Sequence, residues 1–137
     1  LVFWIVGNGA QSNILESKLK NIGCEYRMFG KVPPSEIPDL MNVADILVLP
    51  SVNEGLGLVV LEARTCGCNV VSSNVGGLPE SAGFENAFAL NDEFSDKVVC
   101  RMLVMLKNDE KPKPLDDEFS WEFAVQKEIL FIKSLLN

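Results

Sequence analysis

Two glutamates, Glu54 and Glu62, frame a run that carries two glycines and four consecutive apolar residues, "NEGLGLVVLE". Gly55 and Gly57 lack a Cβ, so backbone N–H groups beside them can turn outward toward a ligand. The run after Gly57 reads as a helix over Gly57 to Cys66, capped by Gly67. The start of such a helix aims unpaired N–H groups and the positive end of its dipole at one point, which suits a phosphate or diphosphate. An ordinary glycine-rich turn into a buried helix explains the same residues.

Glu62 falls about 6 Å beyond Leu58 along the helix axis, at ~1.5 Å per residue. Leu58 to Leu61 precede it and Ala63 follows, so the helix is apolar nearly all round, the pattern of a buried helix. An ionised carboxylate in such a helix is costly unless it is paired or given donors. A sugar diol one turn from a bound phosphate supplies two O–H donors. The alternative is a salt bridge to Arg64 or Lys31, although Arg64, two residues on, projects from a different face. Glu54 stands in the preceding loop, where it could reach a group attached beyond the diphosphate or simply remain solvated.

The elements that must position these residues alternate along the chain. Leu1 to Val6 is a continuous apolar run closed by Gly7-Asn8-Gly9, which suits a strand buried on both faces. Ser12 can cap a helix containing Ile14, Leu15, Leu19 and Ile22, with Gly23 as its stop. Glu25 to Phe29 reads as a strand leading to Gly30, and Pro33-Pro34-Ser35 introduces a helix with Ile37, Leu40 and Met41. Asp45 to Leu49 and Asn69 to Ser73 are further strands. Pro79 and Glu80 suit the first turn of a short helix. Asp92 begins a longer one through Val98, Met102 and Leu106, and Ser120 to Leu136 forms the last.

Strands alternating with helices predict an α/β fold, a parallel sheet with helices on both faces. Ligands in such folds sit beyond the carboxyl ends of the strands. Three glycine-bearing loops fall there: Gly7 to Gly9, Asn53 to Gly57 and Asn74 to Gly77. "GNGAQS" could open a dinucleotide fingerprint, but Ser12 holds its third glycine position, and a tight turn explains it equally well.

At 137 residues, 47% of them apolar and 23% charged, the chain fits one globular domain. A net charge of −7 argues against a nucleic-acid partner. No apolar run approaches the roughly 20 residues that span a bilayer, and Leu1 to Val6 lacks the basic front and cleavage site of a secretory leader. Opening on Leu1 rather than Met, the chain reads as part of a longer protein. Its four cysteines are scattered apart from Cys66-Gly67-Cys68, which points to free thiols in a reducing cytoplasm rather than a zinc site or disulfide framework. With no histidine, no mechanism that needs a histidine base is complete within the chain.

"PSVNEGLGLVVLEARTCG" followed by "NVVSSNVGGLPE" resembles the E-x7-E region of the retaining glycosyltransferases of the GT-B fold, of the glycosyltransferase family 4 type. "WIVGNG", "FGKVPPSEIPDLMNVADILVLPS" and "FSWEFAVQKEI" are similar to other stretches of that family, so the resemblance covers nearly the whole chain. It implies a Rossmann-like donor-binding domain over residues 1–137, the C-terminal half of a two-domain enzyme, truncated at its N-terminus and without its acceptor domain. On that resemblance Glu54 contacts the donor sugar near the reacting carbon, and the N–H groups of Gly55, Leu56 and Gly57 line that sugar. Leu58 and Val59 bind the diphosphate, Glu62 holds the ribose hydroxyls, and Phe29, Gly30 and Lys31 lie along the base. The substrate implied is a nucleotide diphosphate sugar, with no metal or other cofactor required. The reaction transfers that sugar with retention of configuration, commonly into cell-surface polysaccharide or glycolipid.

Some positions depart from the pattern. Leu56 replaces a more usual phenylalanine and Ala87 a common glycine, changes that remove no donor. The family's diphosphate-neutralising arginine and lysine would precede Leu1, which implies a chain inactive by itself. The related nucleotide-sugar epimerases share the fold but fit the E-x7-E run less well, and a non-catalytic nucleotide-sugar-binding module is the third reading. Trp121, Val125, Ile129, Ile132 and Leu136 form one face of the last helix, with Phe123, Leu130 and Phe131 elsewhere. A helix apolar on more than one face wants more than one partner, which predicts partial exposure here where it would meet the absent domain; a bulky core helix is the alternative. Membrane contact through it is weakly supported, since it lacks a strongly basic face.

Overall fold

The computed structural model describes residues 1–135. They form two compact units, Leu1–Leu40 and a second from Met41 onward. In the first, β1 (Val2–Val6) leads through α1 (Ser12–Ile22) to β2 (Glu25–Gly30). The two strands pair in parallel from Val2 opposite Glu25 to Ile5 opposite Met28, with a register shift before Val6. Gly23 ends α1 in the left-handed conformation, its N–H bonded to the carbonyls of Leu19 and Lys20, as expected of a glycine stop. A single 3-10 turn at Pro34–Glu36 then opens α2 (Ile37–Val43).

The second unit holds β3 (Ile46–Leu49), α3 (Leu58–Thr65), β4 (Asn69–Ser73), α4 (Leu78–Ala82), β5 (Ala87–Phe88), α5 (Phe94–Lys107) and α6 (Trp121–Leu135). Its three strands are ordered β3-β4-β5 and all pairs are parallel. The central strand explains the core. Val70, Val71, Ser72 and Ser73 are buried, and Val71 packs with Val98 and Met105 of α5, joined by Ile46, Phe88, Phe94 and Met102. α3 and α4 pack on each other and on β4, and bury Val60, Ala63, Leu78 and Ala82. The result is the expected Rossmann-like α/β plan of parallel strands flanked by helices.

Three expectations need correction. Leu1 to Val6 is not buried on both faces: Val2, Phe3, Trp4 and Val6 are 38 to 47% exposed. Among the described residues β1 pairs only with β2, and α1 buries none of its residues, so that unit has no closed core around the strand. Ser12 does not cap α1 but is its first residue, and its hydroxyl turns back to Gly9. The two-residue strand β5 went unread, because two residues carry no period.

The last helix is exposed along its whole described length, Trp121–Leu135, as the many-faced apolar pattern predicted in part. Leu136 lies outside the described residues. No described helix is long and apolar enough to cross a membrane.

Candidate functional site

The loop after β3 reaches α3 through Gly57, which sits in the left-handed conformation at φ 72° and ψ 62°. Only glycine takes that conformation cheaply, and a Cβ there would also collide with Cδ2 of Leu78. The Val60 N–H donates to the Gly57 carbonyl at 2.8 Å. Among the described residues, the N–H groups of Leu58 and Val59 have no backbone acceptor. They are the orphan donors that any helix leaves at its start, at the positive end of its dipole.

The loop after β4 supports this one from beneath. The Gly77 N–H donates to the Gly55 carbonyl at 2.6 Å, and the Asn74 N–H anchors the loop to the Phe88 carbonyl at 2.7 Å. The Ser73 hydroxyl donates to the Ser51 carbonyl at 2.5 Å, which ties the ends of β3 and β4 together. At Gly76 the two backbones touch: a Cβ there would overlap the carbonyl oxygen of Glu54 and lie 2.9 Å from that of Gly55. Sequence reasoning placed Asn74 to Gly77 at the strand ends but assigned its residues no role. The signal was present in the adjacent glycines, Gly76 and Gly77, between a strand and the Pro79 helix.

Glu54 is half-buried and Glu62 is exposed. Among the described residues, neither side chain has a hydrogen bond or ion pair. The premise that Glu62 stands in a helix buried all round is therefore overturned. α3 buries only Val60 and Ala63, while Leu58, one turn before Glu62, is 67% exposed. The apolar run encodes one buried stripe and an open face on which Leu58 and Glu62 stand together. Arg64 does not neutralise Glu62 either. Its guanidinium donates to the carbonyls of Ser81 (2.6 Å), Lys113 (2.9 Å) and Pro114 (3.1 Å).

Glu54, Gly55, Leu56, Gly57, Leu58, Val59 and Glu62 thus all lie in the second unit, on one loop and the first turns of α3. Phe29, Gly30 and Lys31 belong to the first unit, at the end of β2. There the Phe29 ring meets Trp4 edge-on at 5.4 Å and the Arg27 guanidinium at 4.9 Å. The Gly7 to Gly9 loop is a closed turn: the Gly7 N–H donates to the Gly30 carbonyl at 2.7 Å, and the Gly9 N–H to the Ser12 hydroxyl at 3.0 Å. Both glycine N–H groups are thus committed to the protein itself.

A cleft of about 310 Å³ lies elsewhere on the second unit, lined by Arg64, Asn69, Glu85, Arg101, Glu110 and Lys113 among others. It contains neither Glu54 nor Glu62, and its cations are already engaged: Arg101 with Glu110 at 2.7 Å, Lys113 with Glu85 at 2.6 Å, and Arg64 with carbonyls. Glu54, Glu62 and the N–H groups of Leu58 and Val59, unbonded among the described residues, stand together on the loop after β3 and the start of α3, which makes this the candidate site.

Parallel strands flanked by helices, with glycine loops and an open helix start at their carboxyl ends, define a Rossmann-like α/β protein, a class in which ligands sit beyond the strand ends. The chain belongs to the glycosyl transferases group 1 family, whose model matches residues 1–108. It is 37% identical over 84 residues to the 2-deoxystreptamine N-acetyl-D-glucosaminyltransferase of Streptomyces fradiae, covering 60% of this chain and 20% of that protein. It is 36% identical over 103 residues to the O-antigen chain mannosyltransferase B of Escherichia coli, covering 70% of this chain and 27% of that one. An uncharacterized glycosyltransferase of Methanocaldococcus jannaschii is 27% identical over 97% of this chain and 39% of its own length. The chain therefore spans 20 to 39% of the length of these curated relatives.

Proposed function

We propose that this chain binds the nucleotide diphosphate sugar of a retaining glycosyltransferase, which takes its acceptor on a further domain. The observation that carries this reading is the juxtaposition on α3. Orphan N–H groups at Leu58 and Val59 stand one turn from Glu62, an exposed carboxylate with no partner among the described residues. The first can take a diphosphate, and the second a ribose diol. Gly55 to Gly57 then run beside the sugar and Glu54 contacts its hydroxyls near the reacting carbon.

As the bond to the sugar breaks, negative charge grows on the leaving diphosphate. A preorganised helix start stabilises that charge without having to reorganise, which is the electrostatic part of catalysis. Membership of the glycosyl transferases group 1 family supports transfer over epimerisation or mere binding. The relatives' names carry different acceptors, 2-deoxystreptamine and an O-antigen chain among them, so the acceptor is not carried over from either.

The test is titration of the isotopically labelled chain with UDP, GDP and ADP, read by backbone amide shifts, beside Glu62→Ala. One nucleotide should move the signals of Gly55 to Val59. Its dissociation constant should rise about 10- to 100-fold in the variant, as expected when hydrogen bonds to a charged group are lost. Equal affinity in both proteins would remove Glu62 from the site.

A further inference from the structure

We infer that Gly76 and Gly77 are positioning residues for the sugar end of the site, setting the place of Glu54 through backbone contact. The inference rests on the role proposed for Glu54. Three glycines of the two loops differ in what a side chain would meet. A Cβ on Gly55 would find nothing within 4 Å, so that glycine leaves open space on its outer side. A Cβ on Gly77 would stand 3.0 Å from the Gly55 carbonyl oxygen and 3.1 Å from the Leu56 Cα. One on Gly76, at φ 53°, would overlap the Glu54 carbonyl oxygen and lie 3.0 Å from its carbon. Gly55 is small toward solvent, whereas Gly76 and Gly77 are small toward the loop that carries Glu54.

The opposing atoms are backbone, which no rotamer change can move aside. The loop beneath is held firmly as well. Asn74 is anchored to Phe88, the Leu78 N–H donates to the Val75 carbonyl at 3.2 Å, and the Ser81 N–H donates to that of Gly77 at 3.1 Å. A methyl group at position 76 must therefore displace the Glu54 loop. The Glu54 side chain has no partner among the described residues to hold it in place. Glu62 stays, because its helix is fixed by buried Val60 and Ala63. The two glycines thus govern the reacting end of the donor and leave the nucleotide end alone.

A double-mutant cycle in the full-length protein tests this, using the one of UDP-glucose, GDP-mannose and ADP-glucose that it turns over. Gly76→Ala should lower kcat by about tenfold or more and change the donor KM by less than about threefold. In a Glu54→Gln background the same substitution should cost less than about twofold, because the residue it acts through is already lost. Gly67 also has a positive φ (82°) but nothing within 4 Å of a Cβ, so Gly67→Ala should leave kcat near wild type. If Gly76→Ala fails to fold, Gly77→Ala gives a milder push and should show the same non-additivity.

Independently of turnover, Gly76→Ala should shift the amide signals of Glu54 to Leu56 and leave those of Val60 to Ala63 in place. Unmoved signals at Glu54 to Leu56 would overturn the inference. So would fully additive losses beside a large Glu54→Gln effect, with the reading of Glu54 intact. Unchanged rates in Glu54→Gln itself would overturn both.

Discussion

Glu62 was found for a reason that the structure replaced. Its position in an apolar run suggested a buried charge in need of donors, yet it is exposed beside Leu58. What makes it a candidate is that it stands free one turn from orphan N–H groups, while Arg64 is committed to the carbonyls of Ser81, Lys113 and Pro114. Residue type and spacing were legible; the partner of each charge was not, because partners lie far apart in sequence. The cysteines show the same division. All four are free, but their settings differ: Cys100 is exposed, whereas burial pushes the Cys68 thiol up to about 11. At about pH 8 iodoacetamide should label Cys100 rapidly and leave Cys68 unmodified in the folded chain, since only the thiolate attacks. Equal labelling rates by mass spectrometry would contradict the buried setting of Cys68.

At the scale of elements, the helices and strands that carry the site were readable because apolar runs and glycine stops mark them. The 108–116 loop, polar and proline-bearing, has no apolar period to mark what it touches. In the structure its residues are bonded to several other segments. Arg101 of α5 holds Glu110, Asn69 of β4 donates to the Glu110 carbonyl, and Arg64 of α3 takes the carbonyls of Lys113 and Pro114. The hydrogen bond from Lys113 holds the Glu85 carboxyl below its ordinary value of 4.5, and that from Arg101 does the same for Glu110. Because both values are lowered by folding, this attachment is complete above the ordinary carboxylate range and is lost as pH falls through the lowered values. An NMR titration should give Glu85 and Glu110 inflections below 4.5, with the amides of Glu110, Lys111 and Lys113 moving in step. Arg101→Gln should return Glu110 toward the ordinary range. Inflections at or above that range in the unmodified chain would show that these pairs do not form in solution.

At the scale of the whole molecule, the outstanding feature is α6, with Trp121 83%, Leu130 67% and Phe131 64% exposed. Large apolar side chains arrayed along one helix are a docking surface in most settings. On the function proposed above, the acceptor-binding domain is what would cover it. Leu130→Ser with Phe131→Ser should then change the unfolding free energy of this chain by no more than about 0.5 kcal/mol, as for other exposed positions. In the full-length protein the same pair should cost about 3 kcal/mol or more, the range for large side chains lost from a packed interior. Equally small effects in both, measured by denaturant unfolding, would show that nothing covers the helix.

By itself the sequence determined the α/β alternation, the parallel strands, the glycine-to-helix junction at Gly57 and the pair Glu54 and Glu62. Each is written in short-range features: the period of apolar residues, the conformations only glycine allows, and residue types at fixed spacing. Only the tertiary structure decided that Glu62 is exposed, that Arg64 serves the 108–116 loop, and that Gly76 and Gly77 bear on the backbone from Glu54 to Leu56. Those are contacts between segments that β4 and its neighbours bring side by side. No local period records which backbone a glycine must make room for.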